Sequence, residues 1–219
     1  MKQTLKSIIR NVKSIKGNSL AEFATTTALM ATLAATAAPK LSEMSEGTKA
    51  EKSKNEIDKI LTQARNHYQD TANDEGRGRF PGQEKFNVPV GGYGTERASQ
   101  ESAITAQDAL VTAMGNWSAY DAEEGAKWRS VFGVDEKMPD ASKVTNDIVD
   151  SSCDTCGDHI GHTEWLDRFG GNALQSQYQD GHFAYAVVPG GGSGTSAFPP
   201  VLYVVDIENA SNFNNVIEP

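Results

Sequence analysis

An apolar segment of membrane-spanning length lies near the N-terminus and constrains the fold more than any other feature. The stretch KGNSLAEFATTTALMATLAATAAP covers residues 16–39, and a helix of about 20 apolar residues is enough to cross a bilayer. Its apolar character is modest, because Leu20 to Ala38 includes eight alanines and five threonines. The strongly apolar side chains are Leu20, Phe23, Leu29, Met30 and Leu33.

Glu22 is the unusual residue in this segment, because a charged carboxylate at membrane depth costs a few kcal/mol. Near a helix end that cost is smaller. Lipid therefore holds this helix weakly, and its small residues allow close approach to other helices. The segment is predicted to be a helix that can leave the membrane and pack against neighbouring helices.

Charge is distributed unequally around the segment. Residues 1–17 hold five Lys or Arg and no acid, whereas the other 202 residues hold 15 basic and 29 acidic side chains. A basic start before an apolar run is a targeting signal, and the basic end is expected to stay in the cytoplasm while the acidic body is exported. The acidic body also argues against a nucleic-acid partner, since phosphate binding needs clustered Lys and Arg.

The spacing within this region matches a known processing signal. Gly17 ends the basic leader, Glu22 is the fifth residue after it, and Pro39 is the twenty-second. This resembles the class III signal of type IV pilins and type II secretion pseudopilins. The run SLAEFA is also similar to TadE-type pilin-like proteins. The chain departs from the pilin pattern at Asn18, where Phe or Met is usual.

The resemblance implies that a prepilin peptidase cuts between Gly17 and Asn18 and methylates the new amine. It also implies that the apolar helix forms the core of a filament, where Glu22 meets the N-terminal ammonium of a neighbouring subunit. The implied partners are copies of the chain or related pilins, the peptidase and an inner-membrane assembly platform. The physical reason is plain, since a carboxylate inside an apolar bundle needs a cation.

Two other interpretations of the segment stay open. One is an ordinary secretory signal peptide cleaved near Ala35-Thr36-Ala37, although a glutamate in the apolar region does not fit that pattern. The other is a membrane anchor that is never cut.

The predicted fold class is α+β and pilin-like: a long N-terminal helix, bent at Pro39, packed on a small C-terminal antiparallel sheet with helical insertions. Four parts are expected: a cleaved leader (1–17), an apolar helix (18–39), an amphipathic half-helix (40–72) and an acidic globular domain (73–219). Apolar residues at three- and four-residue steps mark the docking face of the second part. They are Ile57, Ile60, Leu61, Ala64 and Tyr68.

Later segments carry weaker signals. The helix should end near Tyr68, ahead of a Gly- and Pro-rich loop that contains GRFP and resembles a loop common in pseudopilins. Arg77 and Arg79 in that loop are expected to be solvated. Residues 98–120 show helical spacing, and Asp121 with Glu124 resembles a capping box. Residues 182–188 and 201–207 are rich in β-branched and aromatic residues and predict two strands, which could form a hairpin.

The run CDTCGDHIGH places Cys153, Cys156, His159 and His162 at steps of three. Two cysteines and two histidines are a zinc ligand set, although zinc fingers usually separate the two pairs widely. The other interpretation is a Cys153–Cys156 disulfide, which an exported protein permits. Under the metal interpretation the chain would be a secreted or anchored binding protein that holds a metal through this cluster.

Major pseudopilins often bind calcium in a C-terminal loop, and here Asp206, Glu208, Asn209 and Asn212 could offer oxygen ligands. No nucleophile motif, phosphate loop or paired-carboxylate site is evident. The sequence therefore predicts a non-catalytic protein.

Overall fold

The computed structural model describes residues 2–116, 127–133, 161–178 and 181–219, with backbone alone for residues 2–19. Three α-helices are present in these ranges: α1 (Lys2–Glu75), α2 (Gln100–Gly115) and α3 (Gly161–Arg168). Four strands form one sheet, and they are β1 (Arg129–Ser130), β2 (Phe183–Val188), β3 (Val201–Asp206) and β4 (Asn214–Ile217). The α+β class and the small antiparallel sheet are as predicted.

The chain divides into two compact units, residues 1–48 and 49–219. The first contains the N-terminal part of α1 alone. The second contains the rest of α1, the sheet and the other helices. Residues 49–75 of α1 lie in the second unit, and the predicted division into four parts stays a prediction.

Helix α1 is longer than predicted at both ends. It begins at Lys2 rather than near Ser19, because a single interior glycine such as Gly17 costs only about 1 kcal/mol. It ends at Glu75 rather than near Tyr68. The next residue, Gly76, adopts a φ of 80° and donates its N–H to the carbonyl of Ala72. A left-handed glycine is a common helix stop. Pro39 lies inside the helix, and the bend predicted there stays a prediction.

The second unit has three layers, with the sheet buried on both faces. All residues of β2 and β3 are buried. Successive strand residues point to opposite faces of the sheet. Each of these two strands therefore contacts one helix with its odd-numbered residues and another helix with its even-numbered residues. One face, which includes Tyr185 and Leu202, packs on the apolar stripe of α1 at Ile57, Ile60 and Ala64. The predicted docking face of residues 57–64 is therefore confirmed.

The other face of the sheet packs against α2. Ala186 and Val205 lie in one apolar cluster with Leu110 and Met114 of that helix. Ser99 caps the start of α2, since its side chain accepts the N–H of Ser102. Helix α2 falls within the predicted range 98–120, while the capping box at Asp121 and Glu124 lies outside the described residues.

The predicted strands pair as an antiparallel hairpin, with Phe183 opposite Asp206 and Val188 opposite Val201. Among the described strands the sheet order is β1-β2-β3-β4. Sequence reasoning missed the two outer strands, since β1 is only two residues long and β4 reads Asn-Asn-Val-Ile. Asparagine is depleted in strands, so tertiary pairing rather than propensity makes β4.

Candidate functional site

The N-terminal part of α1 presents its apolar side chains to the surroundings. Phe23 and Met30 are each 71% exposed, and the other large apolar side chains of the segment are similarly open. Within the Leu20–Glu75 part of α1, one 18-residue window has a mean hydropathy of 1.2, and none of its residues is buried inside the protein. The helix is long and apolar enough to cross a membrane, and the exposed apolar surface needs lipid or another protein to cover it.

The threonines of this segment direct their hydroxyls to their own helix. Thr25 and Thr26 donate to carbonyl oxygens one turn earlier at 2.9 Å, including that of Glu22. Thr27, Thr32 and Thr36 do the same. Each hydroxyl is thus satisfied without water or a neighbouring helix. The outer surface of the segment is therefore more apolar than its composition suggests.

Glu22 lies on this helix with an exposed side chain. No hydrogen bond or ion pair to its carboxylate is found among the side chains that the structure describes, which begin at residue 20. A carboxylate in this position is satisfied in water but lacks a cation once the helix enters lipid or a helix bundle. Gly17, Asn18 and Pro39 all lie within the same helix.

A half-buried charge network joins α1, the following loop and α3. Arg79 donates to Glu164 Oε1 at 2.9 Å and to Glu75 Oε1 at 3.1 Å, with 16% of its side chain exposed. Glu164 also accepts the N–H of Gly82 at 2.6 Å. Burial alone would lower the pKa of Arg79, but its bonds to Glu164 and Glu75 raise it, so the guanidinium stays charged. The prediction that Arg79 is solvated is wrong.

The loop that follows α1 and carries Arg79 packs against the aromatic side chains of the core. Phe80 is fully buried and tilts against Tyr68 at 5.4 Å between ring centroids. A Cβ on Gly78 would come within 2.3 Å of the Tyr68 ring, so any larger residue would force that ring to move from its position against Phe80. Arg77, by contrast, is exposed as predicted and stacks on Phe86.

His67 lies beside this network and is 5% exposed. Its Nε2 is 3.5 Å from Arg79 Nη1, and its Nδ1 has no hydrogen-bond partner within the described ranges of the chain. Burial lowers the pKa of His67 to about 4; Glu164 opposes this shift, whereas Arg168 and Arg79 strengthen it. His67 is therefore neutral near pH 7, since a second buried cation next to Arg79 would be unfavourable.

A second buried polar cluster lies where β3 ends. Asp206 is fully buried, accepts the Ser176 hydroxyl at 2.7 Å and accepts the N–H of Glu208 at 3.2 Å. Burial raises the pKa of Asp206 to about 6, against the effect of these hydrogen bonds. Nearby, Ser130 Oγ lies 2.5 Å from His182 Nε2. Both residues of that pair are buried, so solvent does not reach the hydroxyl.

His67 and Asp206 should give opposite pH dependences of stability. Between about pH 4 and 6.5 the unfolded chain binds a proton at His67 that the folded chain does not. His67 therefore makes the folded state less stable as pH falls through this window. Between about pH 3.8 and 6 the folded chain keeps a proton on Asp206 that the unfolded chain has released. Asp206 therefore makes the folded state less stable as pH rises through this window. The two effects oppose each other across most of this window.

Denaturant unfolding of the full chain in detergent micelles between pH 4 and 6 tests this. A plot of unfolding free energy against pH should have a smaller slope for His67→Gln than for the parent. The same plot should have a larger slope for Asp206→Asn than for the parent. Each change should be at most about 1.4 kcal/mol per pH unit, which is the free-energy equivalent of one proton. Three parallel curves would contradict these pKa shifts.

The Cys–His run lies largely outside the described residues, which include only His162 of its four members. His162 is on the first turn of α3, with its ring against Gly133, where a Cβ would come within 3.2 Å. Whether Cys153 and Cys156 form a disulfide, or bind zinc with His159, stays a prediction.

The proposed calcium ligands lie at the end of β3, where Asp206 is the last strand residue, and in the turn that follows it, which holds Glu208, Asn209 and Asn212. Two of them already accept hydrogen bonds there: Asp206, as described above, and Asn209, whose Oδ1 accepts the Ser211 hydroxyl at 2.7 Å. In the described part of the chain, no three His, Cys, Asp or Glu side chains are grouped to hold a metal ion.

Sequence reasoning missed Glu164 and His67, and it named Asp206 only as a possible calcium ligand, because these side chains make their contacts with residues from other parts of the chain. Arg79 and Glu164 are 85 residues apart. A weak signal was available for His67, which interrupts the apolar stripe of α1 at a buried position. Comparison of the chain with protein-family models, curated proteins and solved structures finds no match.

Proposed function

We propose that the chain is a prepilin-like precursor whose processed form is a structural subunit of a type IV pilus or a type II secretion-like filament. The observation that carries the proposal is Glu22, a carboxylate on an exposed apolar helix and at the fifth position after Gly17. A permanent anchor has no use for this charge, whereas a filament core supplies a cation for it.

Cleavage after Gly17 creates that cation. The new α-amine of Asn18 would lie one helical turn from the Glu22 carboxylate along the sequence, and a neighbouring subunit can bring its own amine to the same level. Pairing the two charges offsets the cost of burying either of them. The alanines and the internally bonded threonines then allow helices to pack closely around the pair.

The subunit is non-catalytic in this proposal. Before assembly it crosses the inner membrane once, with the acidic globular unit on the periplasmic side. Afterwards the N-terminal part of α1 lies in the filament core, and the globular unit is displayed outside. Its partners are copies of itself or related pilins, a prepilin peptidase and an inner-membrane assembly platform.

Processing of a Gly17 variant tests the proposal. In cells that contain a prepilin peptidase, Gly17→Val should abolish loss of the 17-residue leader, because a branched side chain blocks the cleavage position. The measurement is gel mobility of the membrane-bound chain. The matched control is Gly47→Ala in the same helix, where an added Cβ meets nothing within 4 Å. Cleavage of the Gly17→Val chain at the parental rate would contradict the proposal.

A further inference from the structure

Strand β4 lies at an edge of the sheet. In the described part of the chain it pairs with β3 on one side only, and Asn214, Asn215 and Val216 are all exposed. The edge of a sheet offers unpaired N–H and C=O groups that can take up a further strand from another molecule. The exposed side chain of Val216, 48% open, favours such pairing because valine is a good strand residue.

One outward backbone group of this edge is already occupied. The N–H of Val216 donates to Asn215 Oδ1 at 2.9 Å, rather than to a neighbouring strand. Antiparallel ladders alternate between residues that face the partner strand and residues that face away. The side chain of Asn215 therefore lies where an incoming strand would place its carbonyl oxygen.

The amide nitrogen of Asn215 forms a hydrogen bond with α1. Asn215 Nδ2 donates to Asp58 Oδ1 at 2.9 Å, a contact between residues 157 apart in the chain. Only this orientation of the amide satisfies both neighbours, since the reverse would direct NH2 at an N–H and oxygen at a carboxylate. Helix α1 thus fixes Asn215 across the edge.

We propose that Asn215, held by Asp58, closes the β4 edge against pairing with the β4 edge of a second copy of this chain. The second copy is the matching partner because an edge that pairs with itself across a two-fold axis forms a closed dimer. Antiparallel pairing of two β4 strands would join two four-stranded sheets into one of eight strands. This device is independent of the filament proposed above, which uses the N-terminal part of α1.

Amide hydrogen exchange at Val216 tests the proposal in the full chain, because this local signal does not depend on association through the N-terminal helix. In detergent micelles, the parental Val216 amide should be protected to the same degree at all protein concentrations. In Asn215→Val the amide should exchange several-fold faster than in the parent at low concentration, since its acceptor is gone. At high concentration it should exchange several-fold more slowly, since a second copy then pairs with it.

Three variants make the result specific. Asn215→Asp keeps an acceptor oxygen and adds a charge to the edge, so its exchange should not depend on concentration. Thr105→Val adds the same apolar side chain at an exposed site on α2 and should leave Val216 unchanged. Asp58→Ala removes the tether without altering the strand and should give the concentration dependence of Asn215→Val in weaker form; it carries the test if Asn215→Val does not fold.

Either of two outcomes would overturn the proposal. One is a parental Val216 amide that exchanges at the rate of an unprotected amide. The other is exchange in both Asn215→Val and Asp58→Ala that stays the same at every concentration.

Discussion

Replacing Glu22 with alanine should stop filament assembly while leaving export intact. The alanine variant loses the only acid between Leu20 and Ala38, so its helix is held more firmly by lipid. In the proposed filament it would also leave the amine of a neighbouring subunit without a carboxylate. Breaking one partner of a buried charge pair costs about 3 kcal/mol or more, which is a loss of about a hundredfold in an association constant.

The measurement is the yield of sheared filaments relative to membrane-bound protein in cells that carry the assembly machinery. Glu43→Ala is the matched control, because Glu43 is an exposed acid on the same helix beyond the apolar segment. The control should assemble as the parent does. Normal filament yield from Glu22→Ala would remove the role assigned to this carboxylate.

Replacing Arg79 with methionine should destabilise the globular unit strongly. Methionine keeps much of the side-chain volume, but among the described residues it leaves Glu164 with the Gly82 N–H as its one hydrogen-bond partner. An uncompensated, half-buried carboxylate of this kind is expected to cost about 3 kcal/mol of unfolding free energy. The loop at residues 76–83 would then keep the hydrogen bond from Gly82 to Glu164 of α3 but lose the Arg79–Glu164 ion pair.

Denaturant unfolding followed by tryptophan fluorescence measures this, since the buried Trp165 is the neighbour of Glu164 on α3. The control is Arg97→Met, which breaks the ion pair of Arg97 with Glu96 at 3.5 Å, where 81% of the arginine side chain and 59% of the glutamate side chain are exposed. That change should cost less than about 1 kcal/mol. Equal costs for the two variants would show that the Arg79 network contributes no more than a surface pair.

A double variant separates the pair from its surroundings. In Arg79→Met with Glu164→Gln, the neutral amide still accepts the Gly82 N–H but carries no charge that needs a cation. Part of the stability lost in Arg79→Met should therefore return.

The parts of the fold that were predicted correctly depend on local patterns. The stripe of residues 57–64 repeats at helical spacing, and the apolar residues of β2 and β3 favour strands in any context. Both patterns report burial directly, because a face that is apolar must be covered.

The missed parts depend on contacts between distant residues. Arg79 follows a glycine-rich run, and such a loop usually lies in solvent. Its burial depends on Glu164, which belongs to a short helix that begins with glycine and carries no strong signal. The threonines of residues 25–36 were expected to weaken the hold of lipid and to allow close helix packing, and this stays a prediction. Their polarity was overestimated, because their hydroxyls bond to the carbonyls of their own helix.

The account rests on a cut after Gly17, and the mass of the exported chain tests that cut most directly. The chain should be expressed with a prepilin peptidase, recovered from the membrane or from filaments, and measured intact by mass spectrometry with its N-terminus sequenced. The account predicts a chain that begins at Asn18 and carries one methyl group on its α-amine. A chain that still begins at Met1, or one that begins after Ala37, would contradict it.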